Sequence, residues 1–123
     1  MRRIGVAASV AALAVAVMAV GAPGSLAKAT KPKVVKVLDD FYKPDSLGLR
    51  KRGRVKWDWG QDFDVHNVTL KKAPRGVDKN KFRSQTTNDP SYSFTKRFTK
   101  VGKYQFYCTI HPDVMTMTVR VHR

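Results

Sequence analysis

The chain is 123 residues long, with 24 Lys and Arg against nine Asp, no Glu, a single Cys and 10% aromatic residues. That length excludes a multidomain enzyme, and the formal charge of +15 points away from basic ligands towards acidic partners or anionic surfaces. Using Asp alone for negative charge disfavours helices and suits turns.

The first stretch reads as an export signal rather than part of the fold. Arg2 and Arg3 form a short basic head, residues 4–20 are almost wholly Ala, Val, Leu and Met, and Ser25-Leu26-Ala27 offers a small-x-small cleavage pattern. The competing reading is a retained membrane anchor, for which the apolar run is at the short end. No Cys stands near the cleavage point, which excludes a lipoprotein. Residues 1–27 are therefore expected to be a signal peptide, and residues 28–123 a single domain with 22 basic and nine acidic side chains, net +13. Such a protein is exported to the periplasm, cell envelope or exterior, where nucleic acid is not its natural ligand. No stable membrane insertion is expected after cleavage, and nothing demands more than a monomer.

Along that domain the hydrophobic period is two, not 3.6. Residues 33–38 are a Val-rich strand closed by Asp39 and Asp40, and Leu47 and Leu49 alternate before a Lys51-Arg52-Gly53 turn. Val55, Trp57 and Trp59 share one face of the next strand, with Lys56 and Asp58 on the other. A strand over residues 65–70 places His66, Val68 and Leu70 together, in line with the core, and Val65, Asn67 and Thr69 outside. Residues 71–90 read as a long surface excursion with at most a short strand. Tyr92, Phe94 and Phe98 alternate next; then Tyr104, Phe106 and Cys108 face inward, with Gln105 and Tyr107 outward. The last strand aligns Met115, Met117, Val119 and Val121. About seven or eight short strands, frequent turns and no amphipathic helix predict an all-β, Greek-key antiparallel sandwich.

An odd thiol in an exported domain needs a reason. Cys108 stands three residues before His111 and seven before Met115, with the inward His66 on another strand. Taken singly, each has a plainer reading: a hydrogen-bonded core histidine, a small buried hydrophobe, core-filling methionines. Taken together, they are the soft and borderline donors that copper prefers, and two His, one Cys and a weak axial Met make a blue-copper electron-transfer site. Asp62, Asp64, Asp113 and His122 read as surface or turn residues without chemistry.

From Val34 to the C-terminus the chain resembles the cupredoxins, in particular the plastocyanin and amicyanin branch of small type 1 copper proteins. The resemblance rests on Val37-Leu38-Asp39-Asp40-Phe41-Tyr42-Lys43-Pro44, Gly53-Arg54-Val55-Lys56-Trp57 and His66-Asn67-Val68. It rests most specifically on Gly102-Lys103-Tyr104-Gln105-Phe106-Tyr107-Cys108-Thr109-Ile110-His111-Pro112 leading to Met115. It implies that His66, Cys108 and His111 are equatorial ligands of one copper ion, that Met115 is the axial ligand, and that the Asn67 N–H bonds the Cys sulfur. It also implies that His111, flanked by Ile110, Pro112 and Val114, is the port for electrons. Met117, on the same strand face as Met115, is a rival axial ligand one step deeper. The function implied is a one-electron Cu(I)/Cu(II) shuttle between larger redox proteins, not an enzyme. The alternatives are copper sequestration or delivery in the envelope, and a metal-free cationic module that binds anionic partners. With the net charge spread around the docking patch, the redox partner is expected to be acidic at its docking face.

Overall fold

The computed structural model describes residue 14 and residues 30–123; the expected signal peptide lies outside the described residues apart from that one position. Eight strands form two four-stranded sheets, the all-β sandwich expected. Strands β1 (Lys33–Leu38), β2 (Phe41–Lys43), β4 (Arg54–Trp59) and β6 (Ser93–Arg97) make one sheet in the order β2-β1-β4-β6. Strands β3 (Ser46–Arg50), β8 (Thr116–His122), β7 (Gly102–Tyr107) and β5 (Thr69–Lys72) make the other, in the order β3-β8-β7-β5. Within each sheet one pair is parallel, β1 with β4 and β3 with β8, and the rest are antiparallel.

Alternation decides which side chains meet between the sheets. Val35, Val37, Val55, Trp57 and Trp59 point inward from one sheet, and Tyr104, Phe106, Met117, Val119 and Val121 from the other. Trp57 is fully buried at the centre, 5.0 Å from Phe106 and 5.7 Å from Phe94 between ring centroids. Its Nε1–H donates to Met117 Sδ at 3.1 Å. A buried indole N–H needs an acceptor, and the thioether of Met117 is committed to that role.

Two expectations need correction. The strand proposed over residues 65–70 begins only at Thr69, and His66 sits in an isolated bridge with Thr87. The reason lies in where the backbone groups go. The Asn67 N–H donates to Cys108 Sγ, the Asn67 carbonyl accepts from Tyr42 Oη, and the Val68 N–H donates to Ser84 Oγ, so side chains replace the ladder here. For the same reason Asn67 and Thr69, expected outside, are buried. Residues 71–90 are less of an excursion than expected. After a single 3₁₀ turn at Lys79–Lys81 the chain runs back along β5, through a bridge between Thr69 and Arg83 and a Leu70 N–H bond to the Phe82 carbonyl of 3.1 Å. Phe82 then packs 5.3 Å from Phe98 and seals that edge.

Candidate metal centre

The ends of β1, β4 and β7 and the starts of β5 and β8 come together at one end of the sandwich. There the β7–β8 ladder extends one step beyond its last strand pair, Tyr107 with Thr116. The Cys108 N–H donates to the Met115 carbonyl at 3.0 Å, so the thiol and the thioether residue are opposite neighbours, both fully buried. The six residues between them fold into a compact loop. The His111 N–H bonds the Cys108 carbonyl at 3.2 Å, and the Met115 N–H bonds the His111 carbonyl at 3.0 Å. Cys-x-x-His-x-x-x-Met is therefore one closed turn, with His111 towards its tip.

His66 is carried to the same end by the segment before β5. Its ring centroid lies 5.2 Å from that of His111. The ring is fully buried, its Nε2 lies 2.9 Å from Asp39 Oδ1, and its Nδ1 has no hydrogen-bond partner. A carboxylate beside Nε2 selects the tautomer with the proton on Nε2 and leaves a bare lone pair on Nδ1. A buried lone pair without a donor is costly for a purely structural residue and is what a metal ligand needs.

Asn67 holds this corner together. Its side-chain amide donates to Thr86 Oγ1 at 3.0 Å and Thr109 Oγ1 at 2.7 Å; its carbonyl oxygen accepts from Thr69 Oγ1 at 2.9 Å and the Thr109 N–H at 3.1 Å. Its own N–H lies 3.4 Å from Cys108 Sγ. One side chain thus ties the His66 segment to the ligand loop. Beneath it, burial first, and then the charge Cys108 would carry as a thiolate, push the Tyr42 phenol well above its ordinary pKa, so it stays a donor to the Asn67 carbonyl.

Carboxylates surround the two imidazoles, and the sequence reading missed them. Asp39 bonds His66, and it also accepts from the N–H groups of Phe63 and Asp64 at 3.1 and 3.3 Å. The bond to His66, then the one to Phe63, holds its carboxyl below the usual pKa. Asp40, at φ 69° in the two-residue turn between β1 and β2, brings Oδ1 to 3.1 Å from His111 Nε2; Asp64 Oδ2 is 3.9 Å away. Asp62 has its pKa raised, by burial first and the Asp39 charge second. Among the described residues, two sets of ligand atoms lie within 4.8 Å of one another: Asp40 with His66 and His111, and Asp39 with Asp62 and His66. Neither set includes Cys108. Two consecutive Asp after a Val-rich run signal a turn and nothing more, and no spacing links residue 39 to residue 66. His122, by contrast, stands at the far end of the sandwich beside Arg123.

Residues 35–122 match a family described as copper binding proteins, plastocyanin/azurin family. The chain belongs to that family. The solved structures it resembles include the Cu(I) form of an amicyanin variant, at 23% identity and a TM-score of 0.63 over 76% of this chain and 85% of that one. A pseudoazurin from Sinorhizobium aligns at 19% identity and a TM-score of 0.59, covering 76% of each chain. A copper-containing nitrite reductase from Thermus scotoductus aligns at 21% identity and a TM-score of 0.62 over 76% of this chain. This chain spans only 23% of that reductase. At such identities the likeness shows a common fold, that of the cupredoxins. A search of the curated proteins finds no match. The donor chemistry fits the family's metal: two imidazoles, each with a buried ring nitrogen that makes no hydrogen bond, His66 Nδ1 and His111 Nε2, share a corner with a buried thiol and a buried thioether.

Proposed function

We propose that this cupredoxin is an exported carrier of single electrons, held in the periplasm, envelope or exterior, with one type 1 copper ion that His66, Cys108, His111 and Met115 would hold. The observation that carries this is the buried, unpartnered Nδ1 of His66 beside His111 and the Cys108–Met115 pair. Copper supplies the one-electron Cu(I)/Cu(II) couple. The chain's own residues do the rest. Asp39 fixes the His66 tautomer, and Asn67 locks the two ligand segments against each other. The Asn67 N–H draws charge from the Cys108 sulfur, and the sandwich beneath resists rearrangement between oxidation states. Met115 is preferred over Met117 because the Met117 sulfur already accepts from Trp57.

His111 is partly exposed, and around it stand the exposed apolar side chains of Ile110, Val114, Val65 and Phe63, the last 95% exposed. The ring outside these is acidic, formed by Asp40, Asp64 and Asp113. A partner with an apolar contact and a basic rim suits this surface, in place of the acidic partner expected from net charge. The chain spans 85% of an amicyanin but only 23% of the nitrite reductase it resembles, so a carrier is favoured over an enzyme. One observation favours copper sequestration or delivery as a second reading: the Asp40, His66 and His111 group offers nitrogen and oxygen donors without the thiol.

The test is a Cu(II) titration of the protein followed by visible absorption, alongside Cys108→Ser. The expected result is an intense blue thiolate-to-copper band that saturates at one equivalent, bleaches on reduction and is absent from the variant. Tight copper binding that is colourless and unchanged in Cys108→Ser would favour the carboxylate and imidazole reading.

A further inference from the structure

The positive charge is concentrated at the pole opposite the metal centre. Strand directions decide this: β1, β4 and β7 begin there, and β3, β5, β6 and β8 end there. The segments that form this pole and its flanks, residues 30–35, 48–56, 70–77, 94–104 and 119–123, hold sixteen Lys and Arg side chains and no Asp. Its turns are tied by backbone hydrogen bonds. The Lys51 N–H bonds the His122 carbonyl and the Arg52 N–H bonds the Phe98 carbonyl, both at 2.7 Å, which stitches one sheet to the other. Beside them lies a cleft of about 310 Å³ lined by Lys81, Lys96, Arg97 and Lys100 over Phe82 and Tyr104. The one acid on its wall, Asp78, is engaged by the Asn80 N–H at 3.0 Å.

Strands of six residues separate the two poles by about 20 Å before the turns are added. That exceeds the Debye length of about 8 Å at physiological salt, so a surface in contact with one pole is screened from the other. The molecule therefore presents two faces of opposite sign. The chain also enters the fold at the basic pole: the Thr30 carbonyl accepts from Arg54 Nη2 at 3.1 Å. In sequence, the apolar run of residues 4–20 ends ten residues before Thr30.

From these observations we propose that the basic pole docks on anionic phospholipid headgroups. Phosphates seat among the cations of the turns and the cleft, and the metal end points away from the membrane. Charge complementarity supplies the attraction. A molecule that approached the same surface with its acidic ring first would be repelled, which fixes the orientation. Phospholipid is favoured over a soluble or wall-bound polyanion because the chain enters the fold at this pole, so the segment that in sequence follows the membrane-directing apolar run leads in on the docking side.

The test is vesicle sedimentation with the protein purified after export, its N-terminus read by mass spectrometry. The vesicles are phosphatidylcholine alone or phosphatidylcholine with about one third phosphatidylglycerol. Stronger partitioning on the anionic vesicles, lost at 0.5 M salt, is expected. Lys51→Glu combined with Arg97→Glu is expected to weaken it tenfold or more, and Lys43→Glu, on the strand next to the metal end, far less. Circular dichroism confirms that the variants are folded. Equal binding to both vesicle types, or equal losses from the two charge reversals, would overturn the proposal. So would binding to soluble polyphosphate with none to anionic vesicles. None of these outcomes depends on copper, so the electron-transfer reading stands or falls separately.

Discussion

The two ends of this sandwich are made from the same strands and treat their polar groups in opposite ways. At the basic end, backbone N–H groups meet backbone carbonyls across short turns, and charged side chains stay in water. At the metal end, His66, Asn67 and Thr69 are buried, backbone groups bond to side chains, and His66 Nδ1 bonds to nothing. The first arrangement stabilises the fold without chemical use. The second carries a cost in stability that only a ligand recovers, which is the expected signature of a functional site in an otherwise well-satisfied structure.

That contrast is sharpest at Asn67. Asn67→Ala removes bonds to both ligand segments and leaves Thr69 and the Thr109 N–H short of partners, so unfolding stability in urea is expected to fall by about 3 kcal/mol. Copper affinity should fall with it. At the other end, a Cβ on Gly53 would stand 2.6 Å from a Leu49 side-chain carbon and 2.8 Å from the Arg50 carbonyl oxygen. Gly53→Ala is expected to cost about 2 kcal/mol by overpacking while the copper spectrum stays unchanged. A matching loss of copper affinity in both variants would break the distinction between the two ends.

Asp39→Asn probes the metal end more gently, since the amide oxygen can still accept from one of the two backbone N–H groups, Phe63 at the Oδ2 position or Asp64 at the Oδ1 position. Copper affinity, measured by competition with a chelator, is expected to drop tenfold or more. The smallest effect is Tyr42→Phe, about 1 kcal/mol for the lost bond to the Asn67 carbonyl. Its pH dependence gives a second readout. Because the Tyr42 pKa is raised in the fold, its contribution is complete below the unfolded value of about 10 and is lost as pH rises above it. The wild type should therefore lose stability more steeply than Tyr42→Phe in alkaline urea titrations.

Legibility in the sequence followed the same division. Strands β4, β7 and β8 could be read from alternation, and β1 from its Val-rich run, because each faces one core and one solvent side. The Cys108 to Met115 loop was legible because its members are close in the chain. Residues 66–69 were not, since burial of Asn67 and Thr69 depends on Thr86 and Thr109, which arrive from distant segments. The carboxylates around the imidazoles were hidden for the same reason. Net charge was countable, but its segregation into poles was not, because it depends on which turns share an end of the sandwich.

One copper ion is expected to take its ligands from His66, Cys108, His111 and Met115. The most direct measurement is a crystal structure of the copper-loaded protein, with the metal located by anomalous scattering. The expected result is a single ion in contact with His66 Nδ1, Cys108 Sγ, a His111 ring nitrogen and, at a longer distance, Met115 Sδ, with Met117 Sδ still against Trp57. Copper bound by Asp40, His66 and His111 with Cys108 uninvolved would contradict it.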